Sequence, residues 1–480
     1  MHMLISRARR MYRGLPYPVR GVAASAFGLY LRWWRYAPDT ERLVDEALER
    51  DEWTQASWAK YQTARLAEVL DRAATRVPYY REAWRKRRVS GDHRSWEVLD
   101  HWPILTKDEV RTNPRAFVAD DVSASRLFRV STSGTSGSPL TMWRSRRASV
   151  AWYALFEART RRWYGVDRSV PWALLGGQVV VPPEREVPPF WVWNRPLRQL
   201  YLSSLHLKLQ NVAAYRDALE RHGIEYLYGY ASSMAWLARL SLEADVRMPP
   251  MRVAISNAEP MSSQQRTVIE AAFGCAVRDT YGMVESVAAA SECEHGTMHM
   301  WPDAGIVELL DAAAAHGAVE GSHRMICTGL LNDAMPLVRY DVGDRAVIAA
   351  SSTDSCPCGR HLPRMVRVEG RSSDNLVTRD GRLVFWLNPV FYELDVREAQ
   401  IVQPSIDQVI VNLVPGDTLR LEDDAVIAER LHERLGDIDV QVRRVESISR
   451  GPNGKFRPVV NLVGHDEDAV WDDAPTAGIR

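Results

Sequence analysis

Cysteine is scarce in this chain, with five in 480 residues. So sparse and odd a set builds no disulfide framework, and a reducing cytoplasm suits it better. Net charge is missing too, because 61 Lys and Arg balance 61 Asp and Glu. A chain without net positive charge is not built as a whole for a polyanion, so nucleic acid is not an expected partner. No stretch of roughly 18 or more apolar residues occurs, which argues against a transmembrane helix. The apolar run 21–31 is short and is followed by Arg32 and Arg35. The arginines near the N-terminus precede no clean apolar segment with a small-residue cleavage site, so a signal peptide is not expected. No internal repeat is visible.

What is present is ordinary for a globular protein, at 46% hydrophobic and 25% charged residues. The length leaves room for more than one domain. The charges are unevenly placed: the first 38 residues carry seven arginines and no acid, whereas 466–473 is acidic. Residues 1–95 read as a helical extension. Leu43, Val44, Ala47 and Leu48, then Leu66, Val69 and Leu70, recur at helical spacing. Asp39 is expected as an N-cap with Glu41 in the first turn. The basic arm before Asp39 either packs on the body with its arginines solvated, the favoured alternative, or docks on anionic lipid or an acidic partner.

Residues 96–330 alternate short β-prone runs with helical patterns, which predicts an α/β body reaching to residue 371. Strands are expected over 172–175, 226–228, 253–255 and 277–280, with helices over 212–221, 232–244 and 262–273. Residues 372–480 predict a small α+β domain, with strands over 408–414, 440–445 and 459–463 and a helix over 425–435.

The stretch Ser131-Thr132-Ser133-Gly134-Thr135-Ser136-Gly137-Ser138-Pro139-Leu140 lies between two β-prone runs, 127–130 and 140–143. Its two glycines let a phosphate approach the backbone, and six Ser/Thr hydroxyls add donors. It is not a P-loop, since the Gly-Lys-Ser/Thr ending is absent. Taken alone, it could equally be a flexible surface loop.

Five further motifs fall near strand ends or turns, where α/β folds bind ligands. Asn257-Ala258-Glu259-Pro260 follows one apolar run, and Tyr281-Gly282-Met283-Val284-Glu285-Ser286 follows the next. Tyr281 offers a flat face for a purine, and Glu285 an oxygen ligand for magnesium. Asp344 follows Val342-Gly343 and could accept both hydroxyls of a ribose; a solvated turn aspartate is the alternative. Lys455, in Asn453-Gly454-Lys455-Phe456, could reach a carboxylate or an α-phosphate. Gly370-Arg371-Ser372-Ser373-Asp374 reads as a hinge.

The order of these motifs resembles the adenylate-forming superfamily of acyl-CoA synthetases. Thr328-Gly329-Leu330 with Met335-Pro336-Leu337-Val338-Arg339-Tyr340 is similar to its phenylacetate–CoA ligase family. So are Val77-Pro78-Tyr79-Tyr80-Arg81 and Leu105-Thr106-Lys107. The basic, Trp-containing start looks most like the branch associated with capsular-polysaccharide gene clusters. The resemblance runs from about residue 10 to about 460. It implies a large adenylate-forming N-terminal domain and a small mobile C-terminal one. It further implies that Ser133, Gly134, Thr135, Ser136 and Gly137 hold phosphates of ATP. Ala258 and Glu259 would line the adenine site, Tyr281 with Gly282 would stack on the base, and Glu285 would bind Mg²⁺. Asp344 and Arg371 would meet the ribose, and Lys455 the carboxylate during adenylation. Two departures stand out: Val284 replaces the usual Thr before the magnesium Glu, and Ser373 stands where Asp is usual.

Cys293, His295 and His299 precede Cys356-Pro357-Cys358. Two thiolates one residue apart, with a distant Cys and His, can complete a tetrahedral Cys₃His zinc site. His299 is chosen over His295 on its Gly-x-x-His pattern, and some members of the resembled family have a similar arrangement. Unrelated cysteines are the alternative. Cys275 and Cys327 sit in apolar surroundings and are expected in the core. Trp152, Trp163, Trp172, Trp191 and Trp193 crowd one stretch beside His206, which could approach the substrate carboxylate or wall its pocket. Most of these tryptophans are expected in the core.

The resulting expectation is an AMP-forming ligase that activates a small carboxylic acid with ATP and Mg²⁺ and passes it to coenzyme A. An amine or a sugar hydroxyl is the alternative acceptor. A nucleotide-binding protein without catalysis is the competing class, for which Val284 is the main hint and against which Lys455, Glu285 and Asp344 argue together. Other expected partners are a membrane surface met by the basic N-terminus and a second copy in a homodimer.

Overall fold

The computed structural model describes residues 12, 15–91, 96–131, 140–176, 180–182, 185–311, 322–347, 356–371, 376–379, 383–384, 387–391, 394–449 and 456–463. They fall into two compact units. The first comprises the described residues of Met1–Glu308, Ile326–Val342 and Ala349–Val366, and the second those of Leu309–Met325, Gly343–Ile348 and Arg367–Arg480.

The first unit opens with helices α1 (Tyr17–Arg35), α2 (Thr40–Arg50), α3 (Gln55–Arg76) and α4 (Pro78–Val89). Each start has a local cause. Thr54 accepts a hydrogen bond from Ser57 N at 3.2 Å to cap α3, and Pro78 occupies the first turn of α4, where its missing N–H costs nothing. Asp39 does stand at the N-cap position of α2, but its side chain makes no capping bond. Its carboxylate pairs with Arg42 at 3.2 Å, and Thr40 Oγ1 instead accepts from Ala37 N at 2.7 Å. A short helix α5 (Lys107–Thr112) carries a full capping box between Thr106 and Glu109.

Strands β1 (Phe128–Ser131) and β2 (Thr141–Arg144) pair antiparallel, Ser131 opposite Thr141. They are the strands expected on either side of the Ser/Thr/Gly loop. Ser145 then caps α6 (Arg146–Thr160). Val44 and Ala47 of α2 are buried against Ala154, Leu155 and Ala158 of α6. Beside that contact the fully buried Arg159 holds Asp51 at 2.8 Å and Asp303 at 2.5 Å, while Arg50 reaches Asp303 at 3.1 Å. Trp163 Nε1 donates to the other Asp51 oxygen at 2.8 Å. Removing the central cation would leave two buried carboxylates exposed to each other. Arg159→Met should therefore lower unfolding stability by about 3–5 kcal/mol, read by urea titration, whereas loss of a surface pair would cost under about 1 kcal/mol.

The next strands begin with β3 (Trp172–Gly176), β4 (Trp191–Asn194), β5 (Gln199–Ser203) and β6 (Tyr226–Tyr230). They continue with β7 (Val253–Asn257), β8 (Ala276–Gly282), β9 (Ala289–Glu292) and β10 (Met298–Met300). Strands β11 (Gly305–Asp311), β12 (Ser322–Gly329) and β13 (Tyr340–Val347) follow, each running from one unit into the other, then β14 (Arg364–Met365). Nine of these form one sheet in the order β14-β10-β9-β8-β7-β6-β3-β5-β4. Its centre, β5-β3-β6-β7-β8, is parallel. Helices α7 (Val212–Arg221), α8 (Ala231–Glu243) and α9 (Ser263–Phe273) connect those strands. Tyr215, Leu219, Leu237, Ile269 and Phe273 pack with Leu175, Leu200, Leu227 and Val277 in the main core. Strands buried on both faces read as unbroken apolar runs, which is why they were legible. Full burial of each such side chain is worth roughly 1.5–3 kcal/mol. Cys327 is buried and Cys275 packs on the main core, as expected.

In the second unit β15 (Arg367–Arg371) pairs with the 344–347 end of β13. Strands β16 (Leu376–Val377) and β17 (Leu383–Val384) form a short pair. Strands β18 (Val396–Ser405) and β19 (Gln408–Pro415), helix α10 (Asp423–Leu435), β20 (Asp439–Arg444) and β21 (Val459–Asn461) complete it. The sheet order is β20-β19-β18-β21, and Ile427 and Leu431 of α10 are buried with Ile401, Val409 and Leu413. The fully buried Gln403 ties β16 to this sheet by a reciprocal pair of bonds to the Val377 backbone, at 2.8 and 2.7 Å. The result is a small α+β unit, which also takes in segments ahead of residue 372.

Candidate active site and metal centre

Because β5, β3, β6, β7 and β8 run parallel, their carboxyl ends share one edge, and His206, Ala258, Glu259, Tyr281 and Glu285 lie at or just past those ends. At the end of β7, Ala258 has φ +62°, a left-handed conformation costly for a residue with a Cβ. Glu259 accepts from Ser232 Oγ at 2.7 Å and Ser232 N at 3.1 Å. Its carboxylate thus sits at the N-terminus of α8, where the helix dipole favours negative charge. Ser232 was not singled out in the sequence, since its partner lies 27 residues away.

Tyr281 and Gly282 end β8 and face Ala290 and Ala289 of β9. The Gly282 position opens towards the Trp152 ring, to which a Cβ would stand 3.9 Å away. Just below, Ser256 donates to the Asp279 carboxylate, and Thr280 Oγ1 donates to Ser256 O at 2.6 Å, locking β7 to β8. Burial pushes the Asp279 carboxyl up to about 6.

Glu285 lies in the turn between β8 and β9. Ser286 N bonds Met283 O at 3.1 Å, and Ser286 takes φ +56°. Glu285 is buried and accepts from the Tyr340 hydroxyl at 3.2 Å. Arg144, the last residue of β2, donates to the Val284 carbonyl. Burial depresses the Arg144 guanidinium, and nearby Tyr153 and Glu285 oppose that shift. A buried carboxylate held this way has the chemistry of a ligand for a hard divalent cation. Arg144 escaped the sequence reading because an arginine just past a loop carries no local signal.

His206 follows the end of β5. It is buried, bonds Ser203 Oγ through Nδ1 at 2.7 Å, and stacks on Phe190 with ring centres 4.9 Å apart. In the second unit, Asp344 and Arg371 are register partners on β13 and β15. Gly343 takes φ +77° immediately before Asp344, which only glycine does cheaply. Ser133, Gly134, Thr135, Ser136, Gly137, Ser373 and Lys455 lie outside the described residues.

The tryptophans separate. Trp191 is in the main core, Trp163 donates to Asp51, and Trp152 lies 5.8 Å from Trp301. Trp172 and Trp193 line a different cavity, at the amino ends of β3 and β5.

Cys293, His299, Cys356 and Cys358 bring one ligand atom each within 4.8 Å of one another. The Cys293–Cys356 sulfurs are 3.8 Å apart, and Cys358 Sγ is 3.4 Å from His299 Nε2. A tetrahedral zinc with ordinary bond lengths requires about 3.8 Å and about 3.6 Å for those edges. His299 Nδ1 bonds Leu362 O at 3.3 Å, which leaves Nε2 for a metal. The cluster can hold a metal ion, and its four ligands come from segments 57 residues apart at their closest, His299 to Cys356.

Residues 376–462 match the family of the CapK C-terminal domain. The chain is 26% identical to Protein CapK of Staphylococcus aureus over 416 residues, 84% of this chain and 89% of that one. It is also 26% identical to a phenylacetate-coenzyme A ligase of Aromatoleum evansii over 355 residues, 66% of this chain and 71% of that one. The chain is a homologue of CapK and the phenylacetate–coenzyme A ligases. Among solved structures, 2-hydroxyisobutyryl-CoA ligase in the postadenylation state superposes with TM-score 0.61 at 19% identity, over 88% of this chain and 92% of that one. The fold is therefore that of the adenylate-forming ligases. The strand ends carrying Ala258, Tyr281 and Glu285 are its parallel-sheet edge.

Proposed function

We propose that this chain is an AMP-forming ligase that joins a carboxylic acid to the α-phosphate of ATP and then passes the acyl group to coenzyme A. The observation that carries the reading is Glu285, a buried carboxylate at the carboxyl edge of the sheet, oriented by Tyr340 beside Arg144. Its setting supports a role as the Mg²⁺ ligand. When bound, the ion would offset charge developing on the phosphates. In this reading the acid's oxygen forms a bond to the α-phosphorus as the bond to pyrophosphate breaks. The Ser133–Gly137 loop donates to the phosphate oxygens, Tyr281 and Ala258 bound the base, and Asp344 and Arg371 meet the ribose. Lys455 neutralises the carboxylate as it attacks. The second unit, turning about 370–374, then exchanges Lys455 for the acceptor. The Cys₃His cluster holds a structural zinc, since four protein ligands leave no open position.

The test is a panel of carboxylic acids assayed for ATP–pyrophosphate exchange, followed by coenzyme A, amines and sugars as acceptors. Acid-dependent exchange with thioester formation is expected. Exchange that leads only to an amide or ester would redirect the acceptor, and the absence of exchange with any acid would sink the enzymatic reading.

Val284 offers a finer probe of the same site. Its carbonyl accepts from Arg144, and it directly precedes Glu285 in the chain. Val284→Thr adds a hydroxyl where the resembled family has one. One bond to a charged oxygen is worth roughly 1.5–3 kcal/mol, or about tenfold or more in rate when made in the transition state. Faster exchange with little change in melting temperature is expected. Slower exchange in an equally stable variant would show that an apolar wall is needed there. A lower melting temperature would mean that the hydroxyl found no partner.

A further inference from the structure

A second cavity, of about 1090 Å³, opens at the other end of the parallel sheet. Trp172 begins β3, Arg198 directly precedes β5, and the C-terminal turn of α1 closes the cavity. It is thus at the amino edge of the parallel sheet whose carboxyl edge carries Tyr281 and Glu285. Six arginines line it, Arg32, Arg35, Arg161, Arg168, Arg195 and Arg198, and no acid among the described residues does. Two are neutralised from behind: Arg161 by Glu157 at 2.7 Å, and Arg168 by Glu41. Arg35 lies over the Tyr153 ring at 4.6 Å. Arg32, Arg195 and Arg198 are exposed, and none of them pairs with a carboxylate among the described residues. The C-terminal dipole of α1 explains Arg32 and Arg35 in its last turn. It does not explain Arg195 and Arg198 converging from another element.

The rim of this cavity is continuous with an apolar surface. Helix α1 buries one face, through Gly28, Leu31 and Trp34. Gly28 lies so close to Asn194 that an added Cβ would meet its amide oxygen at 2.0 Å, so the helix is pressed onto β4. The opposite face leaves Val19, Val22, Leu29, Tyr30 and Trp33 exposed at helical spacing. Leu29 and Trp33 also line the cavity. No helix among the described residues is long and apolar enough to cross a membrane. An apolar, aromatic stripe beside unpaired arginines is the pattern of a helix lying in an interface. The sequence ahead of α1 adds Arg7, Arg9, Arg10 and Arg13 with no acid.

We infer that this face docks on an anionic lipid bilayer: the stripe of α1 enters the headgroup region and the arginine cavity receives lipid phosphates. The docking surface lies opposite the proposed adenylation edge, so binding leaves that edge open.

The test is co-sedimentation of the full chain with phosphatidylcholine vesicles, with and without phosphatidylglycerol, at low and high salt. Binding is expected only with phosphatidylglycerol and should weaken with salt. Replacing Arg32, Arg195 and Arg198 together with Gln should lower the partition coefficient about a hundredfold, roughly fivefold for each charge. Val22→Asp with Leu29→Asp should abolish binding. Both sets alter exposed positions, and unchanged melting temperature and pyrophosphate exchange would verify the fold. Equal binding to neutral vesicles, or binding indifferent to both sets, would overturn the inference. So would a chain that ignores vesicles while inorganic phosphate or glycerol phosphate raises its melting temperature through Arg195, since the cavity would then serve a soluble anion.

Discussion

Glu285→Gln is expected to slow ATP–pyrophosphate exchange by about a hundred- to a thousandfold while leaving the chain folded. Glutamine keeps the size of the side chain and an oxygen that can accept from Tyr340, now at 3.2 Å from Glu285. Only the charge is lost, and a neutral amide is a poor partner for a hard divalent cation. Loss of one preorganised electrostatic contact to a phosphoryl transition state has effects of that order. The magnesium concentration giving half-maximal rate should rise as well, and high magnesium should recover part of the activity. Lys455→Ala provides the contrast. It should also abolish adenylation, but with no change in magnesium dependence, and it should spare transfer from a pre-made acyl-adenylate. If Glu285→Gln exchanges pyrophosphate like the wild type, Glu285 is not the metal ligand and the proposed mechanism loses its anchor.

Stripping zinc, or Cys356→Ser, is expected to lower the melting temperature by on the order of 10 °C or more. The metal would join the β9–β10 hairpin to the segment at 356–365, which otherwise attaches through β14, the Arg360–Glu294 ion pair at 2.6 Å, the contact of Arg360 with the Trp163 ring and a few bonds to backbone. These include Met300 N to Pro363 O at 2.8 Å and His361 N to Asp51 O at 2.8 Å. Structural zinc binding amounts to about 10–16 kcal/mol in isolated zinc-finger peptides, and only part of that is needed for such a shift in a larger unit. Elemental analysis should find one zinc per chain, lost in Cys356→Ser. His295→Ala should keep both the metal and the stability, because the cluster uses His299. Protein purified without any metal, or a Cys356→Ser variant as stable as its parent, would refute the assignment.

Much of the architecture was legible in the residues. Strands β3, β6, β7 and β8 and helices α7 to α9 begin and end within a few residues of their expected bounds. Apolar runs, helical periodicity and turn residues act over short distances along the chain, so they survive without tertiary context. The same is true of the strand ends carrying Tyr281 and Glu285. The Cys₃His set was found because thiolates are rare here, two of them stand one residue apart, and members of the resembled family have a similar arrangement. Asp39 shows the limit: the cap position was correctly placed, yet its carboxylate preferred Arg42 over the helix N–H groups.

By itself, then, the sequence determined the succession of strands and helices, the two strands β1 and β2, and which three cysteines and one histidine could gather as a metal-binding set. Only the tertiary structure decided which distant groups meet. Tyr340 was visible in a motif, but its bond to Glu285 spans 55 residues. Ser232 with Glu259, Arg144 with Val284, and Arg159 between Asp51 and Asp303 are likewise made by chain crossings. Most of the tryptophans were expected in the core, and Trp172 is buried there, but that Trp172 and Trp193 also line a cavity at the amino edge of the sheet follows only from the direction of the strands. Periodicity reports which face of an element is buried. A buried charge, however, is stable only where a partner arrives from elsewhere, and that depends on how the parallel sheet orders strands that are far apart in the chain.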